Sequence, residues 1–379
     1  MNSAPPSVSA SNWAVAIKVR AAVTAGMDRR LFCMGALTGA LSACVGGDSS
    51  ATAAAPTPTP SSMPTPTPAP APIGTGAISW PAFSGAFLDA SGRVVDTGNN
   101  RISHSEGQGY GMVMAFHAGD QDAFTRMWEW TRTTLLRPDG LLSWRYDSAA
   151  TPPVNDPNNA TDGDILVAWA LGLAGTRWSQ PDWLAQAAAM RGAILSKATV
   201  TLAGRRLLLP AEFGFAVDGR ATLNPAYYVW PALDAFHRLA PGEGWDTIIA
   251  DGTWLLTQAR FGQYQLPTDW VGVAADGTLR PAPDRSPWFG FDAVRVPLYA
   301  QLGGRSGLAR PAVEYWKGRR GAGQTIPAWV DVTSGTTADY AASAGVEAIV
   351  ALTAGGTAPA ALSGDYYAAV LQVLATLRP

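Results

Sequence analysis

Cysteine is nearly missing from this chain of 379 residues: Cys33 and Cys44 are the two it has, both near the N-terminus. Everything after residue 44 therefore folds without a disulfide, and a segment that long buries enough apolar surface to need none. Histidine is scarce too, limited to His104, His117 and His237. No HExxH pair and no paired cysteines occur, so a zinc site has little to build on and no metal is expected. No GxSxG turn presents a serine nucleophile. Gly107-x-Gly109-x-Gly111 lacks both the preceding strand and the GxGxxG spacing of a nucleotide loop, and no other motif implies a cofactor. Charged residues make up 15% of the chain with a formal net charge of −2, which gives no support to nucleic acid or an anionic membrane as partner. Tryptophan, by contrast, is plentiful at fifteen residues. Weakly charged, Trp-rich proteins suit flat, apolar-faced ligands such as sugars, although most Trp side chains simply fill cores.

The N-terminal region reads as targeting and tether. Residues 1–26 carry no signal, and Met27 is a better start: Met27-Asp28-Arg29-Arg30 is basic, and Leu31–Ala43 is an apolar run of 13 residues. That run is too short to span a bilayer but suits the core of an export signal. Leu41-Ser42-Ala43-Cys44 resembles a bacterial lipobox, making Cys44 the expected lipidation site, and Arg29-Arg30-Leu31-Phe32 resembles a twin-arginine signal. Residues 1–44 are thus expected to direct export to the periplasm or cell exterior, with membrane contact only through a lipid on Cys44. Residues 45–75 alternate Thr-Pro and Ala-Pro steps, which cannot bury a core and favour extended polyproline conformation, as in a semi-rigid linker. Residues 76–379 form the expected folded domain, a monomer by default.

From Trp80 the pattern is helical almost to the end. Gly109–Ala118 and Ile165–Ala174 are apolar all round and must be buried on every side. Asp122–Leu136 and Trp183–Lys197 are amphipathic and suit an outer layer. Further helices are expected over Ala226–Leu239, Gly244–Arg260, Pro287–Leu302, Leu308–Arg319, Ala338–Leu352 and Tyr366–Leu377. With Trp80–Leu88 they make about eleven or twelve, alternating in character. A double-layered α/α barrel meets that pattern, with an irregular helical bundle as the alternative. The expected class is all-α, with one short strand excursion at Val200–Leu209.

Three acidic sites open or interrupt the apolar helices. In His104-Ser105-Glu106-Gly107-Gln108-Gly109-Tyr110-Gly111, a carboxylate stands at the mouth of a buried helix, where it is costly without a task or partner. The glycines around it let backbone or ligand approach closely. His104 beside Glu106 reads as a hydrogen-bonded helix start. In Asn159-Ala160-Thr161-Asp162-Gly163-Asp164, two Asp flank a Gly where capping needs one, so Asp162 and Asp164 are both candidates. Asp292 and Arg295 are three apart on one expected helix face, as a functional pair or a structural one. Glycoside hydrolysis needs one carboxyl kept protonated and another kept ionised. Glu106 among apolar neighbours suits the raised-pKa acid, and Asp292 beside Arg295 the ionised base. Trp144, Tyr227-Tyr228, Trp230 and Trp270 are candidate sugar-stacking faces.

Ser105-Glu106-Gly107-Gln108-Gly109-Tyr110-Gly111-Met112, Ala160-Thr161-Asp162-Gly163-Asp164 with Ala168-Trp169-Ala170-Leu171, and Asp292-Ala293-Val294-Arg295-Val296-Pro297 together resemble glycoside hydrolase family 8. Asn224-Pro225-Ala226-Tyr227 and Leu266-Pro267-Thr268-Asp269-Trp270 add to the likeness, which runs in order from about Trp80 to the C-terminus. The resemblance implies an (α/α)6 barrel with an open cleft and an inverting mechanism. It implies that Glu106 is the general acid, Asp292 the general base, and Asp162 a holder of the sugar at the cleavage point. Tyr227 and Arg295 would place the attacking water. Trp144, Trp270 and Asp164 complete the expected substrate-binding set. Ala226 departs from the family's usual Ser, and Phe291 from a common Tyr, which puts fine substrate preference in doubt. Within the family the likeness is to endoglucanases that accompany bacterial cellulose synthesis. The implied activity is an endo-β-1,4-glucanase acting on a β-glucan. Xylan, mixed-linkage glucan and chitosan are alternative substrates, and a non-catalytic polysaccharide-binding protein is the rival of another class.

Overall fold

The computed structural model describes residues 78–377. The export signal, Cys44 and the linker lie outside the described residues. Eleven α-helices occur among those described: α1 (Trp80–Phe87), α2 (Ser105–Ala118), α3 (Gln121–Thr134), α4 (Thr161–Arg177), α5 (Pro181–Lys197), α6 (Trp230–Leu239), α7 (Trp245–Gln258), α8 (Arg295–Leu302), α9 (Ser306–Gly321), α10 (Ala344–Ala354) and α11 (Tyr366–Leu374). An inner ring runs α2–α4–α6–α8–α10–α11 and closes back on α2, with α3, α5, α7 and α9 packed outside. This is an (α/α)6 barrel. The two layers follow from side-chain pattern. Nearly every residue of α4 is buried, whereas α3 buries Ala123, Phe124, Met127, Trp128 and Thr131 at helical spacing and leaves Glu129 and Arg132 in solvent. No helix among the described residues is long and apolar enough to cross a membrane.

Close approach of α2 to α4 depends on glycine at two points. A Cβ on Gly109 would lie 2.5 Å from Leu166 Cβ, and one on Gly163 would overlap Ser105 Oγ and come within 2.7 Å of Glu106 N. Gly107 and Gly111 are likewise buried, against Tyr366 and Met127. The glycines of this stretch therefore admit neighbouring helices, not a sugar chain. Gln108, fully buried between them, accepts from Val94 N at 2.6 Å and donates to Gly92 O and Thr131 Oγ1. One amide thus ties the chain before α2 to α3.

Strands are more numerous than the all-α pattern suggests, though all are short. Ser103–His104 (β1) pairs with Arg145–Tyr146 (β2). At the expected strand excursion, Thr199–Leu202 (β3) and Arg205–Leu208 (β4) form a hairpin, turning through Ala203 and Gly204 at positive φ. A four-stranded antiparallel sheet of Ala216–Val217 (β5), Arg220–Leu223 (β6), Val271–Val273 (β7) and Leu279–Pro281 (β8) was not expected. Strands of two to four residues hold too few alternations to stand out from loop sequence. The helix expected over Pro287–Leu302 is also shorter. Trp288–Phe289 (β9) pairs with Val330–Asp331 (β10), a turn follows, and α8 begins at Arg295. Likewise α6 begins at Trp230, after a 3-10 turn over Pro225–Tyr227, and α10 begins at Ala344, where Ser343 caps it.

Candidate active site

The first turns of α2 and α4, the turn before α8, and the 3-10 turn before α6 converge at one end of the barrel. Each brings a polar side chain to the positive end of a helix, where a carboxylate is favoured. Glu106 lies in the first turn of α2, which His104 caps by accepting from Gly107 N at 3.0 Å. The helix-start reading of His104 holds. Asp162 lies in the first turn of α4, and Asp292 sits in the turn just before Arg295 opens α8.

Arg295 gathers all three. Its Nη1 binds Glu106 Oε1 and lies 3.3 Å from Asp162 Oδ2, while its Nη2 donates to Asp292 Oδ1 at 2.8 Å. The same Nη1 also donates to Tyr110 OH at 2.8 Å. Tyr110 in turn donates to Glu106 Oε1 at 2.9 Å and meets Tyr299 OH at 3.1 Å. The guanidinium is 2% exposed, with both terminal nitrogens committed to carboxylates. Arg295 was expected to place water; what the structure shows is a guanidinium that holds the carboxylates. Its two terminal nitrogens are taken up by the carboxylates it spaces, and Nε is buried with no hydrogen-bond partner.

Charge in this cluster is unevenly held. Burial works to raise the Glu106 pKa, but Arg295, His104 and hydrogen bonds with Asp162 and Tyr110 overcome it and hold the carboxyl at about 2. Asp162 is the opposite case: burial, then the charge of Glu106, push it well above the usual carboxylate range. The two carboxyls are thus shifted in opposite directions, Asp162 towards its protonated form and Glu106 towards its ionised one. That corrects the expectation of a raised Glu106. Its apolar sequence neighbours point into the helix packing, while its carboxylate faces a buried cation.

Tyr227 is half-buried beside the cluster, its ring 6.0 Å from the Arg295 guanidinium carbon. Burial, then Asp162, Asp292 and Glu106, keep its hydroxyl protonated far above neutral pH, so it can only donate near those carboxylates. Trp144 is half-buried, with Nε1 donating to Asp156 Oδ2 at 2.8 Å and the ring beneath Arg145. Two expected substrate contacts are largely buried. Asp164 is 0% exposed and turned away, accepting from Leu142 N at 2.8 Å and Asn159 Nδ2 at 2.8 Å. It anchors a loop. Trp270 is 8% exposed and stacks on Phe215 with ring centroids 5.7 Å apart, with Arg285 over its ring, so Phe215 is the more accessible of the pair. Tyr110 and Tyr299 were missed, although each sits four residues after a site residue, on the same helix face as Glu106 and Arg295 respectively. Tyr367 was also missed. From α11 its hydroxyl donates to Phe291 O at 2.6 Å, bracing the chain where the sequence lacks a Tyr at 291. Among the described residues no His, Cys, Asp and Glu side chains are grouped to hold a metal ion.

An (α/α)6 barrel whose helix ends gather three carboxylates on one guanidinium fits a class, the carbohydrate-cleaving barrels. Comparison with known proteins narrows it. The family model described as glycosyl hydrolases family 8 matches residues 69–378, and the chain belongs to that family. A "Probable endoglucanase" of Novacetimonas hansenii is 42% identical over 307 residues, covering 79% of this chain and 89% of the relative. An "Endoglucanase" of Cellulomonas uda is 38% identical, covering 73% and 77%. Among solved structures, endo-beta-1,4-glucanase CMCax from Acetobacter xylinum superposes with a TM-score of 0.75 at 40% identity, covering 78% of this chain and 95% of that one.

Proposed function

We infer that this protein is a glycoside hydrolase, an inverting endo-β-1,4-glucanase. The observation that carries the assignment is the bridging of Glu106 and Asp292 by the two arms of Arg295, with Asp162 against the same guanidinium. Inverting hydrolysis needs an acid and a base roughly 6.5–9.5 Å apart, with a water between base and sugar. A guanidinium with one carboxylate on each terminal nitrogen is a spacer that keeps such a pair from collapsing together. The family and the endoglucanase relatives support the same reading.

In the reaction, Glu106 gives a proton to the leaving glycosidic oxygen as the bond to the anomeric carbon breaks. Water attacks that carbon from the opposite face, and Asp292 takes the proton this water sheds. Asp162, which shares a hydrogen bond with Glu106 and whose carboxyl burial pushes well above the usual range, can supply that proton to Glu106 when sugar hydroxyls take over its own contacts. Tyr227 donates to the water or the sugar ring, and Trp144 supplies a stacking face. The test is reducing-sugar release from carboxymethyl cellulose by residues 76–379, beside xylan, mixed-linkage glucan and chitosan. Glu106→Gln is expected to lose nearly all activity while still binding chains, and wild type to release the α-anomer first. A β-anomer, or full activity in the variant, would refute the assignment of roles. Export as a monomer tethered through lipid on Cys44 belongs to the same proposal; recovery of the protein wholly in the soluble fraction would count against the tether.

A further inference from the structure

The turn that carries the base has no cap of its own. Val294, which precedes α8, supplies no side-chain hydrogen bond to the helix start. The backbone amides of Gly290, Asp292 and Ala293 all point instead at one distant atom, Oδ1 of Asp269, at 3.1, 3.0 and 2.7 Å. Asp269 is itself held: its N donates to Trp288 O at 2.7 Å, and its carboxylate is 8% exposed. The approach is close enough that a side chain at Gly290 would press on its neighbours. A Cβ at Gly290 would lie 3.0 Å from Asp269 Oδ2 and 3.3 Å from Trp329 Cβ. A carboxylate from the bend leading into β7 thus serves as the acceptor for a turn more than twenty residues later.

We propose that Asp269 is the positioning residue of the general base, fixing the Asp292 backbone while Arg295 fixes the Asp292 carboxylate. The proposal rests on Asp292 being the base. With the side chain pinned at its tip by Arg295 Nη2 and at its root by Asp269 Oδ1, the carboxylate has one orientation. Loss of the root contact frees three amides together and lets the turn shift, and an error near 1 Å in a reacting group costs on the order of 10²-fold in rate. Burial, then the charge of Asp292, push the Asp269 carboxyl up to about 7. All three contacts use one acceptor oxygen, which the amide of an Asn also supplies.

The experiment compares kcat and KM on a soluble β-glucan for Asp269→Ala, Asp269→Asn, Gly290→Ala and Asp292→Asn. Asp269→Ala is expected to lose on the order of 10²-fold in kcat with KM changed far less, and Asp269→Asn to recover most of it. Wild-type kcat in Asp269→Ala overturns the proposal. So does an Asp269→Asn variant as impaired as Asp269→Ala, because the charge itself, not the acceptor, would then matter. If Asp269→Ala does not fold, Gly290→Ala decides: it crowds the same carboxylate, and undiminished kcat there overturns the proposal. Asp292→Asn separates the underlying reading. Activity surviving in that variant removes Asp292 as base, whereas its loss alongside a fully active Asp269→Ala leaves the base in place and removes only the positioning role.

Discussion

Arg295→Met tests whether the buried guanidinium is what makes three carboxylates tolerable in one site. In the native protein Glu106 is held at about 2 against an ordinary value of 4.5. Its folded-state pKa lies below its unfolded one, so the stability it contributes is present in full above 4.5 and lost as pH falls towards 2. About 2.5 units of depression correspond to about 3 kcal/mol, which agrees with the ~3–5 kcal/mol typical of leaving one partner of a buried pair uncompensated. Methionine has a similar reach but no charge. Without Arg295, the main lowering influence is gone and only His104, Asp162 and Tyr110 oppose burial, so the Glu106 pKa rises and its contribution shrinks. Urea unfolding of both proteins at pH 2.5 and pH 8 is the assay. The variant should trail wild type by about 3 kcal/mol at pH 8 and by markedly less at pH 2.5, where most of the native contribution is already lost. Equal gaps at the two pH values, or a variant as stable as wild type at pH 8, would refute the electrostatic account. Arg295→Lys should recover part of the stability but little activity, because one ammonium cannot hold carboxylates on two arms.

The buried anchor Asp164 should give the opposite pH dependence. Burial raises it to about 7, so its contribution is complete below the unfolded value of 3.8 and is lost as pH rises through 7, by up to about 4 kcal/mol. Asp164→Asn should flatten the fall of Tm between pH 4 and pH 8, and unchanged slopes would rule this out. Gly163→Ala places a methyl group against Ser105 and Glu106 N. It should cost about 1–3 kcal/mol and lower kcat more than it raises KM, because the acid moves while the stacking faces stay. Loss confined to KM would count against this.

The barrel and its carboxylates were legible in the sequence for one reason: a helix buried on all sides has no other place for a charged residue than its end. Glu106, Asp162 and Asp292 all obey that rule, and the helix alternation supplied the layers. What stayed hidden depended on direction, and part of it could have been worked out. Asp162 and Asp164 are two apart on α4, and residues two apart on a helix do not share a face. If one meets the cleft, the other turns away, and the structure turns Asp164 onto Leu142 and Asn159. The same geometry, used forwards, leads from Glu106 to Tyr110 and from Arg295 to Tyr299, both four residues on. Asp269 is a different case. Its role rests on contacts across more than twenty residues and on a turn that the helical pattern had absorbed into a helix over Pro287–Leu302. No local periodicity encodes that contact. Nor could apolar neighbours in sequence reveal that Glu106 faces Arg295, 189 positions away. The sign of a carboxyl's pKa shift is a property of the assembled site, and here it runs in opposite directions for two acids on one guanidinium.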